Sequence, residues 1–272
     1  MRLRCCGEPG RPLCWRRFCP EGVWVPAEYD AIADQYDATF QALPYRIFVE
    51  EWSVLNALGD VDQRSVLELA TGTGHYARRL RRLGASRVVA VDLSAEMVAL
   101  AQEAENRTPL GIRYQVHDVA TLELEETFDV VIAVYLLHYA ADIDGLDAMA
   151  RVVARHLKPG GCFVTFQLNP SLAREEHYYE PYGMRVNLPP HYSDGQELSF
   201  SVQVGESWWS PISVYYWTRE TLIASLQRAG LTGIKWQTPT LDPRGADRHG
   251  KDYWKAYLEH PHCVVIEATK GS

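Results

Sequence analysis

The chain has 272 residues, 47% of them hydrophobic, and a formal net charge of −8. That length buries a sizeable core without room for two large domains, and the acidic balance speaks against a protein that neutralises duplex phosphates. The longest apolar run, Val130 to Leu137, is far too short to cross a bilayer, so no membrane-spanning segment is expected.

The first residues differ from the rest. Cys5, Cys6, Cys14 and Cys19 fall here with Arg2, Arg4, Arg11, Arg16 and Arg17, against one acid, Glu8. No apolar stretch follows the arginines, so this does not read as a secretory signal. The cysteines lack the paired spacing of a zinc site, and no metal is expected. Residues 1–24 read as a disordered or non-native extension, and 25–272 as the folded domain. The body keeps only Cys162 and Cys263, which suits a reducing compartment, the cytoplasm, and no disulfide framework.

Ala27 to Leu58 carries apolar residues at helical spacing, with a break near Pro44. Ser65 to Leu69 is a short apolar strand, and Gly74 to Leu83 a helix stopped by Gly84. A second strand, Arg87 to Val91, leads to a helix from Ser94 to about Glu105. A third strand spans Ile112 to Val116. Phe128 to Val134 is almost wholly apolar, as expected for a strand covered on both faces. A helix over Ile143 to Leu157 and a fifth strand over Cys162 to Leu168 flank Pro159-Gly160-Gly161. Such alternation implies parallel strands with right-handed crossovers, and ligands bound outside their carboxyl ends. Asn169 to Trp217 breaks the rhythm. It alternates through Leu198, Phe200, Val202 and Val204, then through Ile212, Val214 and Tyr216, which predicts an antiparallel hairpin. A helix over Glu220 to Ala229 and strands near Ile234 to Gln237 and Cys263 to Ala268 complete the pattern.

The most informative stretch is Val66-Leu67-Glu68-Leu69-Ala70-Thr71-Gly72-Thr73-Gly74, a strand running into a turn of small residues ahead of a helix. Glycines there permit positive φ and close approach of a ligand, which the amides of the helix start then face. Gly72-x-Gly74-x-x-Ala77 also satisfies the dinucleotide fingerprint, with Asp92 about twenty residues on, where an acid holds ribose hydroxyls. The loop alone leaves a nicotinamide cofactor and S-adenosylmethionine both open. Glu68, before the turn, repels a pyrophosphate and attracts an ammonium. Asp118, after the third strand, can accept from an adenine amino group.

Glu68-x-Ala70-x-Gly72-x-Gly74, Val91-Asp92-Leu93-Ser94, His117-Asp118-Val119, Phe128-Asp129-Val130-Val131 and Leu157-Lys158-Pro159-Gly160-Gly161 together resemble the successive motifs of class I S-adenosylmethionine-dependent methyltransferases, in order and spacing, from roughly Ala27 to Lys270. The resemblance implies a Rossmann-like α/β fold: a seven-stranded, mostly parallel sheet with an antiparallel last strand and helices on both faces, plus the antiparallel insertion. It implies S-adenosyl-L-methionine as cofactor. Glu68 would serve its methionine end, directly or through water, above Ala70, Thr71, Gly72 and Gly74. Asp92 would hold the ribose, Leu93 and Met97 would pack on adenine, Asp118 and Val119 would mark the adenine edge, and Ala133 and Val134 would flank the methionine backbone. Tyr29 and Tyr36 resemble lid tyrosines of small-molecule members. Where the family usually has glycine this chain has Ala70; a methyl is the smallest addition, and binding is expected to survive it.

Residues 169–217 read as a substrate-side insertion rich in aromatics, among them Tyr178, Tyr179, Tyr182, Tyr192, Phe200, Trp208 and Trp209. Aromatic walls stack on flat ligands, which favours a planar aromatic or heterocyclic acceptor methylated on O or N. The alternative is that these rings build the insertion's own core. Asn169-Pro170 followed by Tyr179-x-x-Tyr182-Gly183 is similar to methyltransferases of toxoflavin-type azapteridine biosynthesis. His177, Tyr178, Tyr182 and Trp208 are the candidate acceptor contacts. His138, just past the fourth strand, is the first candidate base, with His75 behind it. The expected partner is a small molecule, with no nucleic acid and no membrane, for a monomer or homodimer. The competing readings are an NAD(P)-dependent oxidoreductase and a non-catalytic S-adenosylmethionine-binding protein.

Overall fold

A computed structural model describes residues 30, 36, 38–204, 207–208 and 211–271. A short helix α1 (Ala38–Ala42) leads through Pro44 into a π-helical turn (Arg46–Glu51) that continues as α2 (Trp52–Leu58). Then come β1 (Ser65–Leu69), α3 (His75–Arg82), β2 (Arg87–Asp92), α4 (Ala95–Arg107), β3 (Arg113–Val116), β4 (Phe128–Val134), α5 (Ile143–His156) and β5 (Leu157–Leu168). The insertion supplies β6 (Met184–Asn187), β7 (Glu197–Val204), β8 (Ser207–Trp208) and β9 (Ile212–Tyr215). The chain closes with α6 (Arg219–Arg228), β10 (Leu231–Gln237), α7 (Pro243–His249), α8 (Lys251–Glu259) and β11 (Cys263–Lys270).

The main sheet has seven strands in the order β10-β11-β5-β4-β1-β2-β3. β4, β1, β2 and β3 pair in parallel, as do β4 and β5, while the last strand, β11, runs antiparallel to both β5 and β10. This is the sheet the motif series implied. Strand residues alternate between two cores. Val66, Ala90, Val130, Ile132 and Phe166 pack beneath α2 and α3, and Leu67, Val89, Val131, Ala133 and Phe163 pack beneath α5 and α6. A strand buried on both faces has no polar side, which is why β4 reads as one apolar run. Several helix starts are fixed by side-chain caps. Ser94 Oγ accepts from Met97 N at 3.1 Å, and Asp142 Oδ1 from Gly145 N at 2.8 Å.

Three features depart from the pattern read in the sequence. β5 begins at Leu157 and includes Pro159-Gly160-Gly161, because Leu157 already pairs with Phe128. The insertion is more than a hairpin, since β6 and β8 add to the β7–β9 pair. Helices α7 and α8 fill the connection before β11, where no element was expected. Their buried Trp254 and Tyr257 join Leu43, Tyr45, Tyr179 and Tyr182 in a third core beneath the insertion.

Candidate active site

At the carboxyl end of β1 the backbone takes positive φ at Ala70 (57°), Gly72 (55°) and Gly74 (80°). This crumpled turn exposes amides toward Asp92 at the end of β2. Asp92 Oδ2 accepts from Gly72 N at 2.7 Å and Oδ1 from Ser94 N at 2.9 Å. Each oxygen keeps a lone-pair direction for a further donor, such as a sugar hydroxyl. Ser94 Oγ donates to Asp30 at 2.5 Å, so a second carboxylate stands near the first. Burial, with Asp30 adding repulsion, raises the Asp92 pKa.

Glu68, expected at the methionine end of the cofactor, stands near the end of β1. It is 2% exposed and lies under the loop, where Oε2 accepts from Thr71 Oγ1 at 2.8 Å and the carboxyl also receives the Ala77 amide. Burial pushes its pKa up to about 8, so the carboxyl is largely protonated at neutral pH. A neutral carboxyl exerts little pull on an ammonium. In this structure Glu68 holds the shape of the loop.

The remaining residues assigned to the cofactor divide. Tyr36 lies against the loop, where a Cβ added to Gly72 would come within 3.3 Å of its Cε1. Met97 is buried in the cluster that includes Tyr36 and Leu100. Leu93 is half-buried beside Asp92. Asp118 is half-buried and Oδ1 accepts from Ala120 N at 2.8 Å. Val119 and Ala133 turn their side chains into the core beneath α5, while Val134, ending β4, joins the opposite core. Tyr29 lies outside the described residues.

The donor set suits an adenosyl sulfonium. Two carboxylates, Asp92 and Asp30, flank the turn, and the Arg78 guanidinium beside it donates to Thr73 O at 2.6 Å. A pyrophosphate would meet like charge here, whereas ribose hydroxyls and a cationic sulfur would not.

A cavity of about 50 Å³ adjoins Tyr36, lined by Arg46, Tyr135, His138, Phe200 and His262 among others. It sits between the ends of β4 and β5 and the inner faces of β7 and β9. Its polar wall is one network. Glu50, 0% exposed, accepts from Arg46 Nη2 at 3.2 Å, Tyr76 Oη at 3.0 Å and Tyr135 Oη at 2.6 Å. His262 Nε2 lies 3.2 Å from Tyr135 Oη, and Tyr257 Oη 2.8 Å from His262 Nδ1. Tyr135 itself has a φ of 63°, a strained value for an aromatic residue, directly after β4.

His138 reaches this cavity, but burial lowers its pKa to about 4. That leaves it neutral and a weak base, poorly matched to work near neutral pH. His75 is elsewhere, stacked on Phe40 at 3.6 Å and bonded to Glu51 at 2.8 Å. Among the proposed acceptor contacts, His177 is exposed between Glu176 and Glu180. Tyr178 donates to Ala256 O, and Tyr182 donates to Tyr253 O at 2.8 Å. None of the three lines the cavity. These rings join the insertion to α8, because a buried phenol must find an acceptor. Trp208 pairs through its backbone with Gln203 on β7. Arg46, Glu50, Tyr135 and His262 went unpredicted. Tyr135 could have been found from its place after Val134, and Arg46-x-x-x-Glu50 from two charges at helical spacing around apolar Phe48 and Val49.

Fold and site together define a class I methyltransferase architecture. The methyltransferase-domain family model matches residues 66–161. The ubiquinone/menaquinone biosynthesis C-methyltransferase UbiE of Desulfotalea psychrophila is 30% identical over 195 residues, covering 70% of this chain and 76% of the relative. The ubiquinone biosynthesis O-methyltransferase of Bradyrhizobium diazoefficiens is 32% identical over 115 residues, covering 42% of this chain and 43% of that protein. The CcbJ methyltransferase structure from Streptomyces caelestis superposes with a TM-score of 0.60 at 23% identity, covering 90% of this chain and 98% of that one, a likeness of fold. The chain belongs to the S-adenosylmethionine-dependent methyltransferases. This overturns the nicotinamide alternative. No described helix is long and apolar enough to cross a membrane, and no described group of acidic, histidine or cysteine residues could hold a metal ion.

Proposed function

We propose that the protein transfers a methyl group from S-adenosylmethionine to an O–H or N–H of a small, uncharged, planar acceptor, with residues 169–217 forming the acceptor side of the site. The observation that carries this is the aromatic-walled cavity beside Tyr36, the ring that lies on the glycine turn, whose lining guanidinium, Arg46, is already paired with Glu50. An acceptor bearing a carboxylate or phosphate would leave water for a wall whose guanidinium is already paired, which is costly. An uncharged ring gains stacking and apolar burial from Tyr36, Tyr135 and Phe200. Relatives named for ubiquinone biosynthesis include both O- and C-methyltransferases, which suits an unsaturated ring.

When bound, the cofactor supplies an already activated methyl carbon. The protein's part is to align the acceptor with that carbon and exclude water. Asp92 would hold the ribose, Tyr36 would cover the turn, and the β7–β9 face would close over the acceptor. At about 50 Å³ the cavity holds a few waters, so a ring enters only as Tyr36 or the insertion strands shift outward.

Titration calorimetry with S-adenosylhomocysteine tests the cofactor half. Wild type binds, and Asp92→Asn binds about 100-fold more weakly, since a charged acceptor to hydroxyl donors is lost. No heat at millimolar ligand would sink the reading. Screening phenols and heterocycles with isotopically labelled methyl donor, read by product mass, tests the acceptor half and separates an enzyme from a protein that only binds the cofactor.

A further inference from the structure

We infer that Tyr135, backed by Glu50 and oriented by His262, holds and takes the proton that the acceptor loses, so that the site selects acceptors with an ionisable O–H or N–H. The inference rests on the methyltransferase reading above and assigns the acceptor side of the same site.

The network has a direction. Tyr135 commits its O–H to Glu50, so the proton shared between Tyr135 Oη and His262 Nε2 comes from the imidazole, and the neutral ring's Nδ1 is left to accept from Tyr257 Oη at 2.8 Å. Nε2–H then donates to Tyr135 Oη at 3.2 Å, and Tyr135 O–H donates to Glu50 Oε2 at 2.6 Å. A phenolic oxygen that accepts one bond and donates one retains a lone-pair direction. Tyr135 lines the cavity, so that direction is available to an acceptor's O–H. The other Glu50 oxygen is occupied by Arg46 and Tyr76, which leaves Oε2 to Tyr135.

The backbone supports the same reading. Tyr135 is kept at φ 63°, with its amide donating to Phe166 O at 3.0 Å. Such strain persists only where surrounding contacts enforce it, and it gathers at functional positions. The π-helical turn that carries Arg46 and Glu50 is a second local irregularity of the kind found at such sites.

The step balances. The acceptor oxygen or nitrogen forms a bond to the methyl carbon as the carbon–sulfur bond breaks and its electron pair stays on sulfur. The acceptor's proton passes to Tyr135 Oη while the phenolic proton passes to Glu50 Oε2. One positive charge, on the sulfonium, and one negative charge, on Glu50, are lost together, and the Arg46 guanidinium that Glu50 had paired is then held by Thr39 Oγ1 at 2.6 Å, Tyr36 Oη at 3.3 Å and the face of Phe40.

The test uses two chromophoric probes of matched shape, 4-nitrophenol and 4-nitroanisole, titrated into the full chain saturated with S-adenosylhomocysteine at a pH where the phenol is protonated. Wild type should bind the phenol at least tenfold more tightly than the anisole, which has no proton to give. Tyr135→Phe should remove that preference and leave S-adenosylhomocysteine affinity unchanged. Tyr76→Phe deletes an equivalent bond to Glu50 from the core side and should keep the preference, so a merely structural effect on Glu50 is told apart. Nitrogen-15 NMR should show His262 protonated on Nε2. A preference that survives in Tyr135→Phe, an Nδ1–H tautomer, or failure of both probes to bind overturns the inference. Failure of S-adenosylhomocysteine itself to bind overturns the methyltransferase reading instead.

Discussion

Replacing Glu68 by glutamine should change the pH dependence of stability more than any other single substitution at the glycine turn. The folded carboxyl keeps its proton up to about pH 8, while the unfolded one releases it near 4.5. Between those values unfolding therefore releases a proton, and the fold weakens as pH rises. Each pH unit in that window is worth about 1.4 kcal/mol, so between pH 5 and 8 wild type should lose about 4 kcal/mol through this group alone. Glutamine has no proton to release. It also loses one of the two bonds that Glu68 accepts, from Thr71 Oγ1 and the Ala77 amide, at a cost of about 1 kcal/mol. The variant should thus be slightly less stable than wild type near pH 5 and more stable by about 2–3 kcal/mol at pH 8. Urea melts of both proteins without cofactor, at pH 5, 6, 7 and 8, measure this. Parallel stability profiles would falsify the burial argument and return Glu68 to an ionised role facing the cofactor.

Three further outcomes follow from the same geometry. Gly74→Ala places a Cβ 2.5 Å from Tyr114 Oη at a φ of 80°, so it should cost about 2–3 kcal/mol in a urea melt and weaken S-adenosylhomocysteine binding. Ala70→Gly relieves a φ of 57° that L-residues tolerate poorly; against the added freedom of the unfolded chain, the net gain should be about 0.5–1 kcal/mol, and a loss would show that the methyl group packs usefully. In the presence of S-adenosylhomocysteine, benzoate should bind at least tenfold more weakly than phenol by calorimetry, since Arg46 is already paired with Glu50; equal affinity would mean that the pair opens to bind anions.

The main sheet was legible because each of its strands carries its own local signal. β1 and β4 are apolar runs bounded by turns, and Gly84 and Ser94 mark a helix end and a helix start that the folded chain keeps. Helices α7 and α8 went unread although Asp242-Pro243 opens α7 and Gly250 closes it, because both are short. α7 has only seven residues and α8 nine, and the outer face of α8 is broken by Tyr253, whose O–H reaches back to Pro181 O at 3.1 Å. Missing α8 had a consequence at the site. Tyr178 and Tyr182 read as ligand contacts, beside Tyr179 in the same aromatic run, only while these hydroxyls had no partner in view. In the folded chain they meet the carbonyls of Ala256, His260 and Tyr253, at the end of α8 and along it, and their rings pack on that helix.

The cofactor itself could be read because its motifs recur in a fixed order, each at the carboxyl end of a strand, from Glu68 through Asp92 to Asp118. The proposed acceptor half draws single residues from distant places: Arg46 and Glu50 from the π-helical turn, Tyr135 from the end of β4, Phe200 from the insertion and His262 from just before β11. Each is ordinary in its own window. Their meaning comes from the hydrogen-bond demand they share, since a buried carboxylate among apolar strands must be matched by donors wherever the chain can supply them. A sequence pattern tracks neighbours along the chain, whereas that demand is met by neighbours in space. The network around the cavity therefore emerges from satisfying Glu50, and not from any motif that contains it.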